Sequence, residues 1–315
     1  MAQPAGTFSS YDAIGNREDL MNIIYDVSPT NTPVLSALPR TKATATNHEW
    51  QTDSLAAASA ANAVIEGDDA TTDTSTATTR LGNRTQILDK VAQVTGTQEA
   101  VSKAGRKSEM AYQMEKRMKE LKRDIEAALT DNGAFVAGND TTARELAGIP
   151  AWLTTNTSFG GGAGADPVTI GSTARTDGTQ RAFTEDLLKA VLQDCYTNGG
   201  EPTLAIVGGF NKRKASEFTG NSTKIDKSED KKLFAAIDVY VSDFGEVKFV
   251  PDRFSRARDC LLIDPEFASV AYLRPFETID LAKTGDTVRK QILAELTLEM
   301  KNEAAHGGVY DLTTS

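Results

Sequence analysis

The chain has 315 residues, 39% of them hydrophobic, and a formal net charge of −10. That is enough apolar material for one large or two small cores, while the acidic balance argues against a dedicated DNA or RNA binder, which carries a basic footprint. No apolar stretch reaches the ~20 residues of a membrane span, and two cysteines, Cys195 and Cys260, make neither a disulfide framework nor a four-thiolate zinc site.

Both thiols read as buried and reduced, in a cytosolic product. Met1 to Gly6 has no basic region followed by an apolar core, so no signal peptide is expected. Residues 1–45 read as an arm, because prolines at 4, 29, 33 and 39 interrupt any long helix. Leu20, Ile23 and Ile24 predict one short helix around Arg17 to Tyr25. A strand is expected around Trp50. The Ala/Ser/Thr/Asp-rich tract from Leu55 to Thr79 is too poor in apolar residues to build a core, and reads as a mobile hairpin tip or loop. Strand character returns at Thr85 to Val94.

A long helix follows, from Ser108 to Asp131. Met110, Met114, Met118, Leu121, Ile125 and Leu129 recur every three or four residues and make one apolar stripe. Glu126 falls with the charged residues of the other faces. Ser108 is the expected N-cap and Asn132-Gly133 the stop. The stripe reads as core and not as a cofactor box, since Met fills irregular gaps in packing. Residues 156–180 are Gly- and Thr-rich and predict a long surface loop. A second helix runs from Thr184 to Thr197, burying Leu187, Leu188, Val191, Leu192 and Cys195.

Leu204 to Val207 reads as a buried strand, followed by Gly208-Gly209 and a short helix. Residues 237–250 predict a hairpin turning at Asp243 to Glu246, and strands are expected at Cys260 to Ile263 and Ser269 to Leu273. From Gln291 to Lys301 apolar and polar residues alternate apart from Leu293, which predicts one face in and one face out. Gly307-Gly308 is expected to turn this strand into a final one at Val309 to Leu312. Helices and strands mix without regular alternation, so the fold class is α+β.

The search for chemistry is negative. Phosphate-loop, nucleophile-elbow and zinc-protease motifs are missing from the sequence. Gly160 to Gly164 does not fit a dinucleotide fingerprint. Of the two histidines, His48 sits at a strand start and His306 at the glycine pair, and both read as surface or interface residues. Asp68, Asp69 and Asp73 lack calcium-loop spacing and read as a solvated acidic tip. Lys212-Arg213-Lys214 reads as a solvated helix face. Arg253, Arg256 and Arg258 are guanidinium forks suited to interfacial pairing with carboxylates, or to an ordinary exposed loop. No catalytic residue, cofactor site or metal site is expected.

The run Gly82-Asn83-Arg84-Thr85-Gln86-Ile87, on through Val94-Thr95-Gly96-Thr97-Gln98-Glu99-Ala100-Val101 and the charged helix to Leu129, resembles the major capsid proteins of tailed bacteriophages. So do Tyr272-Leu273-Arg274-Pro275-Phe276, Leu281 to Asp286, and Leu296 to Gly307. The resemblance implies the Hong Kong 97-type capsid fold. It implies an arm at 1–45, an extended loop at 46–102, a peripheral domain with its spine helix at 103–149, an axial domain at 150–270, and C-terminal strands at 271–315 that return to the peripheral domain. It also implies a shell subunit that self-assembles as hexamers and pentamers into an icosahedral head. The head would form in the bacterial host cytoplasm and enclose double-stranded DNA without reading its sequence. Decoration, scaffolding and portal proteins are candidate partners, any scaffold being a separate chain or unnecessary; a membrane is not expected. Arg84, Arg253 and Arg256 are the candidate contacts between subunits. No motif places a cross-linking Lys or Asn.

Two alternatives remain open at this point. One is an encapsulin-like nanocompartment shell of the same fold, which encloses cargo enzymes. The other is a hydrolase using Asp or Glu with His48 or His306.

Overall fold

The computed structural model describes residues 28–69, 77–218 and 239–315; the short helix expected at 17–25 lies outside them. In chain order the elements are α1 (Pro33–Ala37), β1 (Arg40–Lys42), β2 (Asn47–Thr52), β3 (Thr79–Arg84), β4 (Gln86–Thr95), α2 (Gly96–Ala100) and α3 (Glu109–Thr130). Then come β5 (Thr157–Ser158), α4 (Glu185–Thr197), β6 (Leu204–Val207), α5 (Gly209–Ala215), β7 (Val239–Ser242) and β8 (Gly245–Pro251). The chain closes with β9 (Cys260–Ile263), β10 (Ala268–Asp280), β11 (Thr287–Met300) and β12 (Gly307–Val309). The described strands form a four-stranded sheet in the order β1-β10-β11-β4, a six-stranded sheet in the order β5-β12-β9-β6-β8-β7, and the separate ribbon β2-β3. The α+β class is as expected.

Helix α3 follows its sequence closely. The Ser108 hydroxyl accepts from the Ala111 N–H at 3.2 Å and caps the first turn. Leu121, Ile125 and Leu129 are fully buried, while Met114 and Met118 pack half-buried against the same cluster. At 1.5 Å per residue the helix is about 33 Å long. Its end is fixed from outside, because the Asn132 amide donates to Arg175 O and accepts from Arg175 N–H.

The first core joins α1, α3 and one face of β10 and β11 to one face of the six-stranded sheet, through Leu204, Ile206, Leu261 and Ile263. The second core lies on that sheet's other face, where Ala205, Val207, Cys260 and Leu262 meet Leu188, Val191, Leu192 and Cys195 of α4. The successive residues of β6 therefore face opposite cores. That is why its run is apolar throughout.

Four expectations need correction. First, β11 does not keep one face in water: Glu295 and Thr297 are as buried as Leu296 and Leu298. Glu295 is tolerated there because Arg144, Arg274 and the Thr85 hydroxyl all bond it, at 2.7, 2.7 and 2.9 Å. Second, Glu126 is not on a solvated face. It is fully buried, and its two oxygens accept the Val34 and Leu35 N–H groups at 2.7 and 2.8 Å. Residues inside the expected arm are thereby held in the core: Val34, Leu35 and Leu38 are buried, and β1 pairs in parallel with β10.

Third, Gly307-Gly308 is not the turn; both belong to β12, and the reversal is made by residues 301–306. A Cβ on Gly307 would stand 2.6 Å from Val191 and 2.9 Å from Cys195, so the glycine lets α4 approach the strand. Fourth, the segment 156–180 is not all surface. Asn156, Gly160 and Arg175 are buried, and the Arg175 guanidinium lies 3.4 Å from the centre of the Tyr310 ring and pairs with Asp166.

Candidate functional site

The sequence element that no core explains is the connection between β2 and β3. The ribbon itself is regular, running from Asn47 opposite Arg84 to Thr52 opposite Thr79. Its base is anchored. Trp50 stacks on buried Trp152 with centroids 5.3 Å apart, and Asn83 donates to the Ala147 and Leu298 carbonyls. His48 Nε2 lies 3.4 Å from Glu299. Burial pushes the Glu299 carboxyl up, but hydrogen bonds from Ser269 and Thr41 prevail and hold it below the usual range.

Beyond Thr52 the described residues 53–69 and 77–78 are all exposed. Three of them are large and apolar: Leu55 is 99% exposed, Val64 84% and Ile65 78%. Of the three residues of the acidic-tip reading, Asp68 and Asp69 stand in the same exposed segment, and Asp73 lies outside the described residues. Each apolar side chain leaves about 1.5–3 kcal/mol of burial unrealised in the single chain.

A second unfilled apolar feature lies between the N-terminal turns of α3 and the four-stranded sheet. Val94, Met110, Met114 and Val288 line a groove of about 500 Å³, with Glu99 and Lys290 among its polar residues. Ile87, Val91 and Val288 are also exposed on the β4–β11 side of the sheet.

The arginines are placed differently from one another. Arg84 is half-buried at the end of β3, its guanidinium 5.9 Å from the Phe135 ring centre. Arg253 is exposed and makes no ion pair with a described residue. Arg256 is tied within the chain: it grips both oxygens of Asp177 at 2.7 and 2.6 Å and reaches Asp259 at 3.1 Å. Arg258 bonds Asp177 at 3.0 Å and Asp311 at 2.6 Å. Burial raises the Asp259 carboxyl to about 7 despite the pull of Arg256. Asp311, at φ 60, also accepts the Gly160 and Gly178 N–H groups. Sequence reading missed Asp177 and Asp311, which lie 79 and 53 residues from their arginine partners and carry no local signal.

The residues considered for chemistry take structural roles. His306 is buried, not at a surface, and its Nδ1 accepts the Asp264 N–H at 3.1 Å; burial lowers its pKa to about 4. It is a neutral acceptor that joins β12 to the loop after β9. Both cysteines are free and buried, and burial pushes the Cys195 thiol up to about 12. Lys212 lies over the Phe249 ring, while Arg213 and Lys214 approach Phe210. Among the described residues no group of three or more His, Cys, Asp or Glu is placed to hold a metal, and no described helix is long and apolar enough to cross a membrane.

A long helix on a four-stranded sheet, a six-stranded sheet and a separate two-stranded ribbon together make a Hong Kong 97-type fold. The structure aligns with a chain of the cyanophage A-1(L) capsid asymmetric unit, covering 98% of this chain and 99% of that one, with TM-score 0.65 and 13% identity. It aligns with the capsid of a native GTA particle over 96% and 98% of the two chains, with TM-score 0.62 and 12% identity. The same fold occurs in the SrpI encapsulin of Synechococcus elongatus PCC 7942, with TM-score 0.56 and 9% identity over 95% and 93% of the chains. Sequence decides within that class. Residues 4–313 match the family model for the SU10 major capsid protein, so the chain belongs to that family. It is 28% identical to the major capsid protein of Escherichia phage Phieco32, over 98% of both chains. Its function is therefore that of a phage major capsid protein, a structural component of the virion, and not that of a nanocompartment shell.

Proposed function

We propose that the subunit assembles through its β2–β3 loop into hexamers and pentamers of a closed icosahedral head, which encloses double-stranded DNA without reading its sequence. The observation that carries this reading is the exposure of Leu55, Val64 and Ile65 on an anchored ribbon. A stable interface buries ~1,600 Å², and the groove between α3 and the sheet offers a neighbour's loop an apolar seat. Assembly takes place in the host cytoplasm, with scaffolding, portal and decoration proteins as further partners. The peripheral domain is α3 with the four-stranded sheet, and the axial domain is the six-stranded sheet with α4 and α5; β10 and β11 return to the peripheral sheet as expected of 271–315, but β12 does not, since it pairs with β5 and β9. β4, inside the 46–102 loop segment, pairs with β11 in the four-stranded sheet, so the loop is narrowed to the ribbon β2–β3 and the described residues 53–69 and 77–78 that extend from it. Among the candidate contacts, Arg253 is exposed and makes no ion pair with a described residue; Arg84 and Arg256 act between subunits only if their contacts within the chain rearrange.

The test is negative-stain microscopy and light scattering of a Leu55→Ser/Val64→Ser/Ile65→Ser variant beside the parent chain. The parent forms closed shells or capsomers, and the variant stays soluble and small. A parent chain that remains monomeric at every concentration and salt tested would overturn the reading.

A further inference from the structure

The four-stranded sheet ends on β4, and that edge is unlike the others. β4 runs for 10 residues, while the other ends of the four- and six-stranded sheets, β1, β5 and β7, have 3, 2 and 4. It pairs with β11 from Gln86 to Thr95 without a register shift, whereas β10 shifts twice against β11. It contains no proline. Folded proteins usually blunt such an edge with a bulge, a proline or a free charge, because its unpaired N–H and C=O groups template another strand. Both charges of β4 are engaged within the chain: Asp89 accepts from the Gln291 amide at 2.6 Å, and Lys90 pairs with Asp124 at 2.6 Å.

The ladder fixes which backbone groups face outward. Gly96 N–H donates to Asp286 O, and Leu281 N–H to Arg289 O, each continuing its strand register. In this part of β11 the even-numbered residues therefore bond β4 and the odd-numbered ones bond β10. In β4 the even-numbered residues are turned to β11, and the N–H and C=O groups of Ile87, Asp89, Val91 and Gln93 point out of the sheet. All four of these residues are exposed, and no described strand pairs with that side of β4.

We infer that this edge is a contact between two copies of the chain: β4 of one subunit pairs antiparallel with β4 of another about a two-fold axis at Val91, joining two four-stranded sheets into one. The inference rests on the proposed assembly into a head and adds to it a contact other than the loop. A two-fold pairing in which the outward groups meet sets one residue opposite itself. Centred on Asp89 or Lys90, it would set like charges directly opposite, which is destabilising. Centred on Ala92, it would leave Ile87 and Leu88 without partners in the strand. Centred on Val91, it pairs residues 87–95, places Asp89 opposite Gln93, and sets Val91, a β-branched residue suited to a strand, against itself.

The experiment is disulfide trapping in assembled particles, with copper phenanthroline as oxidant and non-reducing electrophoresis as readout. In Val91→Cys the two new thiols stand on Cα atoms about 5.5 Å apart, within disulfide reach. Asp89→Cys is the register control, because its two copies stand roughly 14 Å apart. Cys195 and Cys260 are buried, and the parent chain gives their background. The expected result is at least several-fold more covalent dimer from Val91→Cys than from Asp89→Cys, with Asp89→Cys/Gln93→Cys restoring the yield. Particles that form but give no Val91→Cys dimer overturn the inference and leave the assembly reading intact. Equal dimer from Val91→Cys and Asp89→Cys also overturns it, since collision and not register then makes the link. Selective Val91→Cys dimer from a chain that never forms particles upholds the edge contact and overturns the head.

Discussion

Helix α3 and the β2–β3 tip follow one another closely in the chain and carry opposite kinds of information. In α3, Leu121, Ile125 and Leu129 have no exposure, and a change there acts on folding. In the tip, Leu55, Val64 and Ile65 are almost wholly exposed, and a change there removes nothing from the monomer's core. The first region uses its apolar residues to make the subunit; the second leaves them outside the subunit's own core. Under the proposed assembly through the tip, folding and assembly are written into separate stretches of sequence and can be broken separately.

The largest effect is expected at the centre of the first region. Leu121→Asp places an unpaired charge in a fully buried site, a cost of several kcal/mol, and whole-domain stability is only about 5–15 kcal/mol. The variant should be insoluble or unfolded by circular dichroism. A folded Leu121→Asp chain would erase the distinction between the two regions.

A smaller effect is expected at Glu126. Burial raises its carboxyl to about 7, against the pull of the Leu35 and Val34 N–H groups and with the nearby Asp252 charge adding to the rise. The folded state therefore holds this proton more tightly than the unfolded state. The contribution is fully present below the ordinary value of 4.5 and is lost as pH rises to about 7. Its upper size is about 3 kcal/mol. Urea midpoints of the parent chain and Glu126→Gln, measured from pH 4.5 to 8, should differ in slope, with the variant flatter. Parallel curves would mean that Glu126 does not titrate in this window. Asp259, also raised to about 7 by burial, remains in both proteins and cancels in the difference.

The smallest effect is expected from reagents. Cys195 and Cys260 are buried and unpaired, so reductant and chelator should leave the melting temperature and particle yield unchanged. A clear drop with either would reveal a covalent or metal support.

Much of the architecture was legible because it is local. The cap at Ser108, the stripe on α3, the apolar run of β6 and the glycine turn between β7 and β8 each depend on neighbours a few residues away. What was illegible depends on long-range company. The polar face of β11 looks solvated in sequence and is buried because Arg144 and Arg274 come to Glu295. Glu126 reads as a surface charge until residues 33–35 fold onto it. His306 beside two glycines reads as a turn, and is an acceptor inside the molecule. Of the arginines singled out for interfaces, Arg256 and Arg258 pair with carboxylates of the same chain, which sequence spacing does not reveal. The exposed tip, by contrast, was visible from composition alone, because a segment that cannot bury itself leaves that mark in any context.

The most direct test of the separation is to shorten the tract between Leu55 and Thr79 and to measure solubility, circular dichroism and particle yield on the same preparation. The account predicts a soluble chain with an unchanged spectrum and a large loss of assembled particles. A shortened chain that unfolds as Leu121→Asp does, or one that assembles as well as the parent, would contradict it.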